Sequence, residues 1–291
     1  MLFPGLEDYL SHWLSRFKSG CSIVETQYIT GGSINEAYKI RTTCGICFLK
    51  YNSASKYPEM FTKEKAALEL LSGTNTVIVP EVLTSDTFGN CSFLLLKYES
   101  PTKPTKNYWT VFAKHLSSLH QVKAKHYGLD YDNYIGSLPQ INTYKDDYIE
   151  FFISCRLNPL LRSAVDKGLL SHKDILQFEN LYKLLPDMLS VEKPSLIHGD
   201  LWSGNLIVNH KGLPCVIDPA IYYGHRESDI AMTKLFGGFP ISFYDTYQSC
   251  LPMEKGWEER IPIHQLYPLL VHVNLFGMSY ASQLRNIITR Y

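Results

Sequence analysis

Leu196-Ile197-His198-Gly199-Asp200-Leu201-Trp202-Ser203-Gly204-Asn205 is the stretch from which this 291-residue chain is read. It contains H-x-D-x-x-x-x-N, the spacing used where an aspartate contacts a substrate hydroxyl and an asparagine reaches a magnesium ion. Asp218 follows in Pro214-Cys215-Val216-Ile217-Asp218-Pro219, where a short apolar strand delivers a second carboxylate at its end. Magnesium takes hard oxygen ligands and keeps several waters, so one aspartate, one asparagine and nucleotide phosphates suffice. An isolated His-Gly-Asp is a weak signal, but together with Asn205 and Asp218 it points to phosphoryl transfer.

The residues upstream supply what such chemistry needs. Leu6, Tyr9, Leu10, Trp13, Leu14 and Phe17 recur at helical spacing. The period then changes to two, predicting strands over 23–28, 37–41 and 46–51, a helix over 58–71, and further strands over 77–83 and 92–98. Phe61, Ala67, Leu68 and Leu71 form the inner face of that helix. Lys50 closes the third strand and is suited to neutralising nucleotide phosphates, and Glu64 on the following helix is suited to holding it as an ion pair. A solvated strand-end lysine and an exposed helix glutamate are the bland readings of this pair. Their order ahead of His198-Gly199-Asp200 and Asp218 weighs against both. Gly31-Gly32-Ser33 lies between the first two strands, where glycine lets backbone N–H groups approach phosphates. No G-K-[ST] follows, so it is not a Walker A loop, and taken alone it is an ordinary hairpin turn.

Composition narrows the alternatives. Lysine plus arginine number 28 and aspartate plus glutamate 28, so the chain lacks the basic field that nonspecific nucleic-acid binding needs. Hydrophobic residues make up 45%, which fits a globular chain, and no apolar run is long enough to span a bilayer. The start carries Glu7 and Asp8 within its apolar stretch and does not read as a signal peptide. Seven scattered cysteines suggest reduced thiols and a cytoplasmic location. Cys44 and Cys47 form a lone C-x-x-C, read as buried or half-buried thiols flanking a turn rather than as a zinc site. After Pro101 and Pro104 the pattern becomes mostly helical, so a small sheet with one helix precedes a larger helical part.

With these residues in hand, the chain resembles the fructosamine kinase (ketosamine-3-kinase) family, a branch near the aminoglycoside and choline phosphotransferases. The resemblance spans essentially the whole chain. Its most specific stretches are 198–205 and Gly224-His225-Arg226-Glu227-Ser228-Asp229-Ile230-Ala231-Met232. A third block comprises Asn133-Tyr134-Ile135-Gly136, Gln140-Ile141-Asn142, Phe151-Phe152 and Arg156-Leu157. The resemblance implies an α+β, protein-kinase-like two-lobe fold, with an N-terminal antiparallel sheet carrying one helix and a larger, mainly helical C-terminal lobe. Residues 1–98 would form the nucleotide-binding lobe and 99–291 the catalytic and substrate lobe. It further implies that Asp200 is the catalytic base, that Asn205 and Asp218 hold Mg2+, and that Lys50 and Glu64 anchor ATP phosphates. Lys97, Tyr98 and Glu99 would meet adenine mostly through backbone. Asp229 would brace the catalytic loop, while Trp202, His225, Arg226 and Glu227 lie toward the substrate, with packing an equal alternative for these last residues.

The sequence also departs from the family pattern. Lys97 stands where an acidic residue is usual, Leu160 where glutamine is common, and Tyr148 where tryptophan is usual. Ser33 occupies the glycine turn where some members carry a redox-sensitive cysteine, and Cys21 lies upstream of it, so a disulfide-linked dimer through that loop is not expected. The expected activity is ATP- and Mg2+-dependent phosphorylation of O3 of a fructosamine or ribulosamine, free or protein-bound, giving a labile product and deglycation. Neither nucleic acid nor membrane is expected as a partner, and a monomer is favoured. The competing readings are the same chemistry on an aminoglycoside- or choline-like amino alcohol, and a nucleotide-binding regulator without turnover.

Overall fold

The computed structural model describes residues 2–30 and 34–291. The chain divides into two compact units, one comprising Met1–Pro104 and Val208–Ile217, the other Thr105–Ile207 and Asp218–Tyr291.

The first unit is built on helix α1 (Leu6–Phe17), strands β1 (Ile23–Ile29), β2 (Glu36–Thr42) and β3 (Gly45–Ser53), helix α2 (Met60–Gly73), and strands β4 (Val82–Phe88) and β5 (Cys91–Lys97). The sheet is antiparallel throughout, in the order β1-β2-β3-β5-β4. Alternation along β5 sorts its residues between two cores. Phe93 and Leu95 pack with Leu6, Leu10 and Leu14 of α1, while Leu94 and Leu96 pack with Phe61 and Leu68 of α2. Fully burying each such side chain contributes about 2 kcal/mol. β5 is therefore covered on both faces, and its run Phe93-Leu94-Leu95-Leu96 is continuous rather than alternating in hydrophobicity.

The predicted strand over 77–83 begins later than expected. Pro80 has no N–H to give to a ladder, so the sheet pairing cannot run through it on that side. Ile78 instead accepts a hydrogen bond from Val216 N, and β4 starts at Val82. Cys47 is buried, but Cys44 sits in the tight turn between β2 and β3 and is exposed.

The second unit contains α3 (Tyr108–Leu119), the ribbon β6 (Asn133–Ile135) with β7 (Leu138–Gln140), α4 (Tyr148–Phe151), a π-helical turn over Phe152–Leu157, α5 (Asn158–Asp166) and α6 (His172–Met188). β8 (Ser195–Ile197) and a 3-10 turn (Ser203–Asn205) follow, then β9 (Leu206–Val208), at whose last residue the chain enters the first unit, and β10 (Pro214–Val216), which lies within that first-unit stretch. β11 (Tyr222–Gly224), α7 (Glu227–Leu235), α8 (Ile241–Cys250), α9 (Trp257–Phe276), a 3-10 turn (Met278–Tyr280) and α10 (Ala281–Ile288) complete it. The α9 core is leucine-rich, with Leu266, Leu269, Leu270 and Val273 all buried. Among the described residues, no helix is long and apolar enough to cross a membrane.

Candidate active site

In the first unit, the register of β3 decides where Lys50 points. Lys50 pairs with Leu94 across the ladder, and Leu94 belongs to the face covered by α2. Glu64 stands on α2 between Phe61 and Leu68, so its carboxylate meets the ammonium, with Nζ 2.8 Å from Oε1 and both side chains nearly buried. Glu69, the other acid of this helix, is exposed and faces Lys65 at 3.8 Å. Gly31, Gly32 and Ser33 lie outside the described residues. At the end of β5, Lys97 is exposed and paired with Glu81 at 3.0 Å. Its backbone N–H donates to Glu81 O and that of Tyr98 to Ile46 O, and the Tyr98 ring lies beneath Lys39 Nζ at 4.8 Å. Glu99 accepts from His210 Nδ1 at 3.0 Å.

In the second unit, pairing of β8 with β11 sets the loop geometry. Tyr222 opposes Ile197, which brings His198 beside Ala220, and Ala220 N donates to His198 O at 2.9 Å. The chain can turn here because residue 199 is glycine. Its φ is +82°, and a Cβ would stand 2.0 Å from Ala220 O. Asp229, in the first turn of α7, accepts from His198 N at 2.8 Å, Gly199 N at 2.9 Å and His120 Nε2 at 3.2 Å. Burial pushes the Asp229 carboxyl up, but its hydrogen bond from His120 and the backbone donors outweigh this and hold it below the usual range.

Asp200 follows this pinned turn. Asn205 Nδ2 donates to Asp200 O at 2.8 Å and to Asp200 Oδ2 at 2.9 Å. Burial pushes the Asp200 carboxyl up to about 7, the Asn205 hydrogen bond opposes the rise, and the charges of Asp218 and Asp229 add to it. Asn205 commits its amide nitrogen to Asp200, so its oxygen is the atom left for a hard cation. Asp218 is exposed and has a left-handed backbone, φ 55°. That conformation costs about 1 kcal/mol outside glycine and persists where surrounding structure dictates it. Asn205 and Asp218 thus offer oxygen donors, the set that suits Mg2+.

Trp202 is half-buried beside Gly204, where a Cβ would stand 2.3 Å from the indole ring, so only glycine accommodates that ring position. Its indole meets Phe236 at 5.8 Å between centroids. Phe236 in turn meets His272 at 4.7 Å, and His272 meets Tyr280 at 4.9 Å. Phe276 is 49% exposed at the edge of this aromatic surface.

His225, Arg226 and Glu227 are all buried, and each is engaged by protein groups. His225 Nδ1 accepts from Glu227 N, and its Nε2 lies 3.2 Å from Ser190 O. Arg226 forks onto Glu192 and donates to the Leu251 and Pro252 carbonyls. Glu227 receives Arg260 through Nε at 2.9 Å and through Nη2. His225, Glu227 and His264 bring potential metal-ligating atoms within 4.8 Å of one another. With the Arg260 guanidinium against the carboxylate and Glu227 N–H against His225 Nδ1, the trio is a buried ion-pair cluster. Burial pushes the Glu227 carboxyl up, but Arg260, then His264 and His225, reverse this and hold it at about 2. Sequence reasoning missed Arg260, His264 and His120. Each comes from a distant helix or helix end, with no motif linking it to its partner.

These features define an α+β phosphotransferase of the protein-kinase-like class. Aminoglycoside phosphotransferase APH(4)-Ia, solved with AMP-PNP and hygromycin B, superposes with a TM-score of 0.66 at 15% identity, covering 99% of this chain and 98% of that one, which speaks to fold alone. The chain belongs to the fructosamine kinase family, whose profile matches residues 7–291, and is accordingly a ketosamine-directed kinase. A probable ketoamine kinase of Enterococcus faecium is 37% identical over 90% of this chain and 94% of its own. The chloroplastic protein-ribulosamine 3-kinase of Arabidopsis thaliana is 33% identical over 98% of this chain and 88% of its own. A Haemophilus somnus crystal structure named after fructosamine-3-kinase superposes with a TM-score of 0.88 at 33% identity, covering 97% of this chain and 96% of that one.

Proposed function

We propose that this protein transfers the terminal phosphoryl group of ATP, with Mg2+, to O3 of a ketosamine formed by glycation of an amine or a lysine side chain. The single observation that carries this reading is Asp200, held by Asn205 on a loop that Asp229 pins through two backbone N–H groups. Asp200 orients the acceptor hydroxyl and takes its proton as the O–P bond forms and the bond to ADP breaks. Lys50, fixed by Glu64, offsets phosphate charge. Asn205 and Asp218 would hold Mg2+, which when bound neutralises charge on the phosphates. The N–H groups of Lys97 and Tyr98 are committed to neighbouring carbonyls, so the donor assigned to adenine is the backbone at Glu99. Met1–Pro104 with Val208–Ile217 act as the nucleotide lobe, and Thr105–Ile207 with Asp218–Tyr291 as the catalytic and substrate lobe. The boundary thus falls after residue 104 rather than the expected 98, and residues 208–217 return to the first unit. The setting is a reducing cytoplasm.

Trp202 and the aromatic surface continuing through Phe236, His272 and Tyr280 receive the sugar amine. Aromatic faces suit the C–H side of a sugar, and a protonated amine gains from the ring quadrupole. His225, Arg226 and Glu227 are assigned a supporting role because all three are buried against protein partners. Trp202→Ala is expected to raise KM for the ketosamine about tenfold, equivalent to roughly 1.4 kcal/mol, and to leave KM for ATP unchanged. Steady-state kinetics with each substrate varied in turn check this, and equal rises in both constants would contradict it. The reaction itself is tested by phosphorus NMR of the product from a ribulosamine and a fructosamine. Phosphate at O3 followed by appearance of the free amine is the expected course, and phosphate at any other hydroxyl overturns it.

A further inference from the structure

The sequence block formed by Asn133, Gln140, Asn142 and Arg156 is absorbed by none of these roles. The structure brings all four into one buried network, each no more than 4% exposed. Asn133 and Gln140 are directly paired across the β6–β7 ribbon. Arg156 lies in the π-helical turn, a local widening that is frequent at functional sites. Its guanidinium stacks 3.8 Å above the Tyr222 ring and 4.5 Å from that of Phe151.

The direction of every hydrogen bond in this network follows from its ends. Arginine has donors only, so Arg156 Nη2 donates to Asn142 Oδ1 at 2.7 Å. Asn142 Nδ2 must then be the donor, and it reaches Asn133 Oδ1 at 2.9 Å. Asn133 Nδ2 in turn donates to the backbone carbonyl of Ile221 at 2.9 Å. A second relay starts at Tyr267, whose hydroxyl donates to Gln140 Oε1 at 2.7 Å. Gln140 Nε2 then donates to Ala220 O at 3.0 Å and to Asn133 Oδ1 at 2.8 Å. Both relays end on the carbonyls of residues 220 and 221, just after Asp218. Ala220 is fixed from its other side by its own N–H, which donates to His198 O. Asp218 is one of the few non-glycine residues with positive φ among those described. A backbone held in a sparsely populated region needs such external clamping, and a charged donor at the head of a relay strengthens the bonds that follow it.

We infer that Gln140, Asn133, Asn142 and Arg156, with Tyr267, are positioning residues that hold the 218–221 segment so that the Asp218 carboxylate is presented to the metal–nucleotide. The inference rests on the proposed role of Asp218 in holding Mg2+. It predicts an effect on metal dependence that a purely structural core network would not produce. Groups that orient a metal ligand typically cost tenfold or more in metal affinity when removed.

The test compares wild type, Asp218→Asn, Tyr267→Phe and Gln140→Leu in a Mg2+ titration of AMP-PNP-dependent thermal stabilisation, with KM for the ketosamine measured in parallel. Tyr267→Phe removes one hydroxyl and keeps the ring, so it stays informative where Gln140→Leu folds poorly. Leu284→Ala, in the buried face of α10, reports the effect of lost stability alone. The expected result is a half-saturating Mg2+ concentration raised about tenfold in Gln140→Leu and by a smaller factor in Tyr267→Phe. AMP-PNP binding in EDTA and KM for the ketosamine stay near wild type, and Leu284→Ala lowers Tm without moving the Mg2+ midpoint. A midpoint moved in Asp218→Asn but in neither network variant overturns the inference and leaves the role of Asp218 standing. A midpoint unmoved in Asp218→Asn overturns that role, and the inference with it.

Discussion

Asp200→Asn is expected to lower kcat about a thousandfold while nucleotide affinity stays within about twofold. The amide keeps the volume of the carboxylate and an oxygen that can still accept from Asn205 Nδ2, so the loop keeps its shape. It has no capacity to take the acceptor proton. Burial and the neighbouring carboxylates of Asp218 and Asp229 already disfavour a charge at this position. The variant is therefore expected to melt no lower than wild type in EDTA, as is common where a functional group is placed at a cost to stability. Single-turnover kinetics and nucleotide titration measure the two effects separately. A kcat within about tenfold of wild type would remove Asp200 from the role of base.

The second large effect lies in the fold behind the site. Glu227 is fully buried and its carboxylate is held by Arg260. Arg260→Met keeps most of the side-chain volume but strips the carboxylate of its main partner, a change that costs about 3–5 kcal/mol where one member of a buried pair is lost. That is a large fraction of the roughly 5–15 kcal/mol that holds an ordinary domain together. The effect depends on pH in a definite direction. In wild type, Arg260 and the two histidines hold the Glu227 carboxyl at about 2, below its ordinary value of 4.5. This contribution is complete above the ordinary value and is lost as pH falls toward 2. In the variant, burial prevails and the carboxyl rises, so the variant loses stability as pH increases toward neutrality. The difference in Tm between the two proteins should therefore be larger at pH 8 than at pH 5. Glu227→Gln added to Arg260→Met should recover part of the loss, because the orphaned charge is removed. A pH-independent difference, or no recovery in the double variant, would contradict this account.

Local spacing made much of this architecture legible. Apolar residues at three- and four-residue intervals marked α1 and α2, and the inner face read for α2 is the one its buried residues form. The strand start at 77 was misread because an apolar run with one proline looks like a strand, while Pro80 and the bond from Val216 N to Ile78 O take it out of the sheet. His198, Gly199, Asp200 and Asn205 could be read together because they lie within eight residues. Arg260, His264 and His120 could not. Their partners Glu227 and Asp229 are a whole helix or more away in sequence, and a buried arginine carries no local signature that separates it from a surface one. Asn133, Gln140, Asn142 and Arg156 stood out as a block, but what they hold became evident only from which carbonyls they reach.

The central claim is tested most directly by Mg2+-dependent ADP release with a ribulosamine, a fructosamine, an aminoglycoside and choline as acceptors, and with Asp200→Asn as the control. The account predicts turnover of a ketosamine, absent with the other two acceptors and lost in the variant. Turnover of the aminoglycoside or choline alone would contradict the assigned acceptor, and ADP release that persists in Asp200→Asn would contradict the assigned base.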